Sequence, residues 1–250
     1  MKHIQVTFLI LALIAEVIGT IGGFGSSVFF VPIANFYFDF QTVLGITAIF
    51  HVVSNLSKIA LFRKGIDKKL ILYIGVPAVL FVIVGGVLSK FLRVTLLELF
   101  LGVFLVALSL LFIIKKDLII KPNKKEAIIG GTLSGFIAGV VGTGGAIRGL
   151  TMAAFNLEKS VFIATSAIID FGVDLSRTVV YFLNGYIKIE ILIYIPFLVI
   201  IGILGTYLGK LCLNKISQDN FKKISLGLIL VIGIVTIIKS ALDYYNLTHL

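Results

Sequence analysis

The chain has little cysteine, no tryptophan and few charged residues. Its 250 residues include one Cys, four Pro and no Trp, and 14% of them are charged. The single Cys212 excludes an internal disulfide and leaves the redox compartment open. So few charges cannot cover a soluble protein of this length, which excludes soluble enzymes. The net charge is +10, and most of the Lys and Arg that produce it lie between apolar segments. In a membrane protein such residues determine the orientation in the bilayer, so the charge does not indicate a nucleic-acid partner.

Apolar residues dominate the chain instead. They make up 59% of it, and its mean hydropathy is +1.14. Six segments reach the roughly 20 apolar residues that cross a bilayer: Gln41–Phe62, Leu70–Leu88, Leu96–Ile114, Ser160–Leu183, Ile189–Leu208 and Phe221–Ile238. The sequence therefore predicts an all-α polytopic membrane protein. Its first segment contains Glu16 and has no small-residue cleavage site, so we expect it to be retained and not removed as a signal peptide.

Two longer segments, Ile4–Tyr37 and Glu126–Leu157, are interrupted by glycine. The first holds 34 residues, so a straight helix would be about 51 Å long, against a hydrocarbon core of about 30 Å. We expect breaks at GTIGGFGSS, Gly19–Ser27, and at GVVGTGGAI, Gly139–Ile147, because glycine adopts positive φ readily. Broken backbone at membrane depth must face protein or a water-filled cavity, which predicts a cavity here. The alternative is that the glycines only permit close helix packing.

Matching motifs indicate that the chain consists of two homologous halves. The motif NLSK at Asn55–Lys58 matches DLSR at Asp174–Arg177, 119 positions later, and the glycine motifs match at an offset of 120. Each half holds one glycine-broken segment, expected to re-enter, followed by three transmembrane helices. The predicted organisation is a first membrane repeat at 1–114, a basic cytoplasmic linker at 115–125 and a second membrane repeat at 126–250.

Lysine and arginine positions indicate how the broken segments run. If both segments enter and return as hairpins, each half crosses the membrane three times and the two halves are inverted. Of the 19 Lys and Arg outside the spans, 14 then lie on one side and five on the other, against 12 and seven if both segments cross. The inverted arrangement places both termini outside and the linker in the cytoplasm. Eight parallel spans are the alternative.

Two of the spans carry a triad of polar residues on one helical face. These triads are His51, Asn55 and Lys58 in the first half, and Asp170, Asp174 and Arg177 in the second. Both have the spacing i, i+4, i+7, at a uniform offset of 119. A charge at the bilayer centre costs roughly 2.5–3.5 kcal/mol on insertion scales, so the repeated pattern indicates function. The alternatives are a structural Asp174–Arg177 pair, and snorkelling of Lys58 and Arg177 to the membrane interface.

Arg148 follows the second glycine motif directly, at the start of the returning half-helix. A helix N-terminus carries partial positive charge and free N–H groups, so the added guanidinium forms either an anion site or a partner for Asp170. Glu16 in the first arm is expected to pair with His51 or Lys58. The candidate substrate-binding residues lie at the two breaks or in the two triads: Gly22, Gly23, Gly25, Ser26, Ser27, His51, Asn55, Gly142, Thr143, Gly144, Gly145, Arg148, Asp170, Asp174 and Arg177.

On these motifs the chain resembles the TauE/SafE sulfite exporter family of bacterial and archaeal membrane proteins. The resemblance covers nearly the whole length and rests on the openings GTIGGFGSSVFFVP and GVVGTGGAIRG, the pairs Thr47-Ala48 and Thr165-Ser166, and the glycines Gly65 and Gly185. It implies export of small sulfur-containing anions such as sulfite, sulfoacetate or related organosulfonates. It also implies a secondary carrier with coupling to protons.

The expected function is secondary transport of a small anion by alternating access, in a cell (inner) membrane. Asp170 or His51 is the expected proton carrier, because imidazole changes charge near neutral pH and a carboxyl group can hold a proton in apolar surroundings. No cofactor or metal is expected. The expected partners are the anion, protons and the lipid bilayer, with a homodimer as a possible assembly. An anion channel is the alternative, followed by a membrane-embedded enzyme or an accessory subunit.

The hairpin arrangement predicts where the chain is accessible. A tag on either terminus should be labelled by an impermeant reagent applied to intact cells, whereas a tag inserted between Lys121 and Lys124 should be labelled only after permeabilisation. Protection of both terminal tags in intact cells would favour eight parallel spans instead.

Overall fold

The protein is a bundle of helices. A computed structural model describes residues 4–22, 25–62, 65–114, 120–213 and 218–248, and all regular secondary structure in these ranges is helical. We number the helices α1 (Val6–Gly22), α2 (Ser27–Ala34), α3 (Phe40–Leu61), α4 (Lys68–Ser89), α5 (Val94–Ile114), α6 (Lys124–Val141), α7 (Gly145–Ala153), α8 (Lys159–Leu183), α9 (Ile189–Cys212) and α10 (Gln218–Thr248). α4 includes a π-helical turn at Ile71–Gly75, and α9 begins with a 3₁₀ turn at Ile189–Tyr194.

Within the described residues, α3, α4, α5 and α9 are long and apolar enough to cross a bilayer. Shorter apolar stretches lie at Val6–Gly22 and Ile229–Leu242. α8 is 25 residues long but carries the charged triad, which lowers its hydropathy. The predicted all-α polytopic class is confirmed. The six ordinary spans correspond to α3, α4, α5, α8, α9 and α10, although α10 continues to Thr248, well past the predicted end at Ile238.

The first glycine-broken segment folds back as a hairpin of α1 and α2. The ring of Phe8, near the start of α1, meets the ring of Phe38, beyond the end of α2, with centroids 5.1 Å apart. Near the turn, a Cβ added to Gly19 would lie 2.3 Å from the Cα of Ser26, so the arms touch backbone to backbone. The break is shorter than predicted, because α1 stays helical through Gly19 to Gly22.

The second segment forms an equivalent hairpin of α6 and α7. Gly130 lies near the start of α6, and a Cβ there would fall 2.1 Å from the hydroxyl of Thr151 near the end of α7. At the other end of the hairpin, a Cβ on Gly144 would lie 1.9 Å from the carbonyl oxygen of Ser134. Both segments therefore return to the end of the bundle from which they start.

Helices of one half pack mainly on helices of the other. α1 packs on α9, and its counterpart α6 packs on α4. The triad helices α3 and α8 pack on each other, as do the last helices of each half, α5 and α10. The same succession of elements and the same exchange of partners thus occur in both halves. The proposed duplication and the domain limits at 1–114, 115–125 and 126–250 stay predictions, and part of the linker lies outside the described residues.

Hydrogen bonds between helix ends show which of these ends lie together at each end of the bundle. At one end, Lys210 Nζ donates to the Leu61 carbonyl at 2.8 Å. At the other end, Lys188 Nζ donates to Asp39 at 2.9 Å, and Asp39 also caps α3 by accepting from the Thr42 N–H. Partial burial opposes ionisation of Asp39, but the hydrogen bonds from Thr42 and Lys188 outweigh it and lower the pKa of this carboxyl. The first hairpin enters beside Asp39, and the second enters from the Lys210 end.

Close helix packing depends on glycines of α6. A Cβ on Gly131, Gly135 or Gly139 would lie within 2.2–2.3 Å of backbone oxygens of α4, so these residues let the two backbones touch. The spacing of four matches the small-xxx-small pattern of membrane helix pairs. The packing role considered for the glycine breaks therefore belongs to glycines in the hairpin arms, such as Gly19 of α1 and Gly139 of α6, whereas Gly25 and Gly142 form the turns at positive φ.

This packing makes a prediction for stability. Gly139→Ala should lower the melting temperature of the purified protein in detergent and cost about 1–3 kcal/mol of unfolding free energy, because α4 and α6 must separate. Gly227→Ala in α10 is the matched control, since no atom of the described part of the chain lies within 4 Å of a Cβ placed there. Equal melting temperatures for Gly139→Ala and the wild type would contradict the close approach.

Candidate functional site

The two polar triads face each other at the centre of the α3–α8 interface. The side chains of Asn55 and Asp174, which occupy matching positions in the two triads, join through a hydrogen bond of 2.6 Å from Nδ2 to Oδ2. Each triad then reaches the hairpin of its own half. The face predicted from spacing is therefore an interior face. Lys58 and Arg177 are 6% and 2% exposed, so the snorkelling alternative is wrong.

The first triad contacts the first hairpin through Glu16, which is fully buried in α1. Lys58 Nζ lies 2.7 Å from Glu16 Oε1, so Glu16 pairs with Lys58. The same carboxylate accepts hydrogen bonds from Ser26 at the turn and from Ser54 on α3. Thr20 and Thr206 donate at 3.3 and 3.2 Å. A buried carboxylate needs a cation nearby and hydrogen-bond donors to its oxygens. Because these donors come from different elements, the Glu16 carboxylate links α1, α3, α9 and the turn.

His51 holds the first turn from the other side. Its Nε2 lies 2.8 Å from Ser26 Oγ, and its Nδ1 lies 2.7 Å from the carbonyl oxygen of Thr47. The ring is buried and packs edge-on against Phe30 and Phe50, with centroid distances of 5.8 and 5.0 Å. His51 therefore contacts the turn directly and does not pair with Glu16.

The second triad satisfies the end of α6. Arg177 pairs with Asp174 at 2.7 Å and donates to the Gly142 carbonyl at 2.6 Å. Tyr181, one turn further along α8, donates to the carbonyls of Ala138 and Gly139 at 3.1 and 2.8 Å. The last carbonyls of a helix lack intrahelical partners, and in a membrane water cannot replace those partners cheaply. The Asp174–Arg177 ion pair considered as a structural alternative is therefore present, and through Arg177 it also anchors the unwound turn.

Arg148 enters the site from the start of α7. Its guanidinium pairs with Asp170, and its Nε donates to Ser166 Oγ at 3.2 Å. Its Nη2 is buried and has no hydrogen-bond partner among the described residues. This nitrogen points toward the first turn, 3.7 Å from where a Cβ on Gly25 would lie. One strong donor of a 3%-exposed side chain is therefore left over for a ligand.

The two unwound turns lie side by side. Gly25 and Gly142 have φ values of +82° and +79°, which glycine alone adopts without strain. Ser27 Oγ and Thr143 Oγ1, one from each turn, are 3.2 Å apart. Neither α2 nor α7 has a side-chain cap on its first N–H groups. Two uncapped helix N-termini thus converge near Arg148, where they favour negative charge.

A row of cavities leads from one end of the bundle to this place. The innermost, of about 20 Å³, is lined by both turns and by members of both triads, and has room for about one water molecule. A second cavity, of about 10 Å³, shares Gly25 and Asp170 with it. The second shares Ile163 with a larger cavity of about 250 Å³ that opens near Lys159. The path lies on the side of the bundle where α8 begins.

The structure brings most predicted residues to one place. Those lining the innermost cavity are Gly25, Ser27, His51, Asn55, Gly144, Gly145, Arg148, Asp170, Asp174 and Arg177. Ser26, Thr143 and Gly142 form the turns beside it, and Gly22 lines the outer cavity. Gly23 lies outside the described residues. No group of three or more His, Cys, Asp or Glu in the described ranges could hold a metal ion.

Several contributing residues were missed by sequence reasoning. Ser54 and Ser166 bond Glu16 and Arg148, and Ser134 lines the innermost cavity. Serine is common in membrane helices and carries no signal by itself. A usable signal existed only for Ser54, which lies one turn before Lys58 and therefore shares its face.

Fold and site together define a polytopic membrane protein with a charged interior site between two unwound hairpin turns. Such a site is the arrangement that secondary transporters use near the bilayer midplane. The chain belongs to the sulfite exporter TauE/SafE family, whose model matches residues 8–236. This is a family of membrane transporters and not of enzymes, so the predicted family and transport class are confirmed.

A named relative is similar over part of the chain. The probable membrane transporter protein MJ0441 of Methanocaldococcus jannaschii is 29% identical over 180 residues. The match covers 64% of this chain and 66% of the relative. No solved structure matches the chain.

The buried ion pair at the second turn makes a prediction for stability. Arg177→Met should cost about 3–5 kcal/mol of unfolding free energy, because Asp174 loses its cation and the Gly142 carbonyl loses its donor. Lys188→Met is the control, since it breaks an ion pair whose partners are 48% and 51% exposed and should cost under about 1 kcal/mol. Thermal unfolding in detergent measures both. Similar losses for the two variants would contradict the anchoring role of Arg177.

Proposed function

We propose that the protein is a secondary transporter that exports a small anion, such as sulfite or an organosulfonate, from the cell by alternating access. The unpartnered Nη2 of Arg148 is the observation that carries this proposal, because it leaves a buried cationic donor beside two uncapped helix N-termini. The family named for sulfite export supports the class of cargo.

The donors at the turns suit an oxyanion. A guanidinium presents N–H groups in a fixed fork that matches two oxygens of a carboxylate, phosphate or sulfonate. The hydroxyls of Ser27 and Thr143 and the first N–H groups of α2 and α7 add neutral donors from two directions. The proposed site therefore binds a tetrahedral or pyramidal anion through Arg148 on one side and both turns on the other.

Charge balance requires an exchange of partners during binding. The site contains three cations and three carboxylates, whose formal sum is zero: Lys58, Arg148, Arg177, Glu16, Asp170 and Asp174. An anion entering this neutral, buried region brings uncompensated charge, which is costly away from water. Coupling to a proton removes that cost. Asp170 is one carrier for this role, because a proton on its carboxyl frees Arg148 for the anion, and His51 is the other.

Access from one end supports an alternating mechanism. The row of cavities opens where α8 begins, and the innermost cavity is smaller than a sulfite ion needs. Binding therefore requires the turns to move apart, and release on the other side requires the path to close behind. The lysines at the open end make it the cytoplasmic end by the positive-inside rule, so this conformation faces the cytoplasm of a cell membrane. The two hairpins would rock about the site.

An anion channel is the competing proposal. A channel conducts in proportion to anion concentration, whereas a carrier saturates when its single site is filled. Within the described residues the path narrows to room for about one water molecule, which supports the carrier.

Removing Arg148 tests the proposed site. Arg148→Ala should reduce sulfite uptake into proteoliposomes by at least about thirtyfold, because losing one buried charged contact costs about 2 kcal/mol or more. Arg148→Lys should retain part of the transport, since charge remains without the fork. Arg93→Ala in an exposed loop is the control and should transport like the wild type.

Folding and cargo are checked on the same variants. Each variant must elute as a single species and keep a cooperative melt before its transport is compared. Thermal shifts with sulfite, sulfate, thiosulfate, sulfoacetate and carboxylates then rank the anions, and the ranking should flatten in Arg148→Ala. Unchanged uptake in a folded Arg148→Ala protein would remove Arg148 from the site, and uptake that never saturates would favour the channel.

A further inference from the structure

The hydrogen bonds of the first turn contain one more contact than their groups have hydrogens. Three contacts lie in series: the Thr47 carbonyl to His51 Nδ1 at 2.7 Å, His51 Nε2 to Ser26 Oγ at 2.8 Å, and Ser26 Oγ to Glu16 Oε2. Each contact needs one hydrogen between its two atoms. A neutral imidazole supplies one and the Ser26 hydroxyl supplies one, while an ionised Glu16 supplies none.

The missing hydrogen cannot come from the ends of the series. The Thr47 carbonyl only accepts, so Nδ1 must donate to it, and a neutral ring then presents a bare Nε2 to Ser26. Ser26 can satisfy either His51 or Glu16, but not both. In either case two acceptors would face each other inside the protein, which is unfavourable in a buried site. We infer that Glu16, Ser26 and His51 form a proton-binding site that holds one proton shared across Ser26.

The extra proton has two places to sit. Glu16 Oε1 already accepts from Lys58, Ser54 and two threonines, so its lone pairs are taken. Among the described residues, Ser26 is the one hydrogen-bond donor to Oε2. The proton therefore sits on Glu16 Oε2 or on His51 Nε2. When it moves from Nε2 to Ser26 Oγ, the hydroxyl proton of Ser26 passes to Oε2, and the number of protons is unchanged.

The surrounding charges set what this proton can balance. Lys58 faces Glu16 from α3, and α8 and α7 present Asp170, Asp174, Arg177 and Arg148 to the site. From α9 the group that reaches Glu16 is the neutral Thr206. These ionised groups sum to zero with Glu16 charged, so the extra proton leaves the region at +1. One monovalent anion then restores neutrality, which predicts one proton carried with each anion.

The site also links the proton to the position of the turn. Ser26 is the residue before α2, and it contacts α1 through Glu16 and α3 through His51. Loss of the proton forces Ser26 to release one of these two contacts. Ser26 is then held by only one of α1 and α3, which favours movement of the first turn away from the anion. This inference rests on the proposed function, since it assigns the coupling proton of the same transporter.

Glu16→Gln tests the assignment in proteoliposomes. An amide donates permanently to Ser26 Oγ, so the variant should behave as if always protonated. Anion-for-anion exchange without a pH gradient is measured in the same vesicles, and gradient-driven accumulation should fall by more than this exchange falls. Accumulation driven by a pH gradient should be lost. Sulfite accumulation in Glu16→Gln equal to the wild type would overturn the inference.

Two further variants sharpen the outcome. Glu98→Gln is the matched control, because Glu98 is also a buried glutamate paired with a lysine, Lys239 at 3.3 Å, but lies away from the site. It should keep gradient-driven accumulation. Asp170→Asn tests the rival carrier: if it alone abolishes coupling while Glu16→Gln accumulates sulfite, the proton belongs to Asp170. If Glu16→Gln does not fold, Glu16→Gln with Lys58→Met removes both charges together and takes its place.

A proton count on the wild type needs no variant. Calorimetry of sulfite binding in buffers of different ionisation enthalpy should show proton uptake that rises with pH, from near zero where the free site already holds its proton to about one proton per anion where it has lost it. Binding without proton uptake at any pH would overturn the shared-proton site while leaving the anion site intact. Absence of both sulfite binding and exchange in the wild type would instead overturn the proposed function. In that case a pH titration still decides, since the wild type should bind one proton more than Glu16→Gln.

Discussion

Unwound main chain inside a membrane must find hydrogen-bond partners in the protein, and the architecture of this chain follows from that constraint. Each hairpin turn exposes carbonyls or N–H groups that lipid cannot satisfy. The carbonyls at the end of α6 receive donors from Arg177 and Tyr181. The first turn is held through Ser26 by Glu16 and His51. The triads are therefore spaced along α3 and α8 so that each reaches a turn.

The two turns are built alike but differ in chemistry. The second turn is surrounded by Arg148 and Arg177, and two of their guanidinium nitrogens, Arg148 Nη2 and Arg177 Nε, have no hydrogen-bond partner among the described residues. The first turn is surrounded by Glu16 and His51, groups that gain and lose protons. In our proposals, the second turn therefore binds the anion and the first binds the proton. Because Ser27 and Thr143 are in hydrogen-bond contact, a movement of one turn directly changes the surroundings of the other turn.

Much of this could be predicted from residue patterns. Hydropathy located the spans, and glycine density located both breaks within a few residues, because these properties act locally along the chain. The spacing of the triads correctly placed Asp174 and Arg177 on one face. Patterns could not decide whether Arg148 meets an anion or Asp170, since both outcomes need only one cation at the start of a helix. They also overstated the length of the first break, because Gly19 stays helical where Ser26 packs against it.

By itself the sequence determined the class of protein, the number and type of its segments and the residues that cannot face lipid. Those conclusions depend on transfer free energies of single side chains, which do not depend on the fold. Only the tertiary structure decided the partners: that Glu16 meets Lys58, that Asn55 meets Asp174 across the halves, and that a nitrogen of Arg148 is left over. These facts depend on distances between residues far apart in the chain, and such distances exist only once the hairpins are packed between the helices of the opposite half.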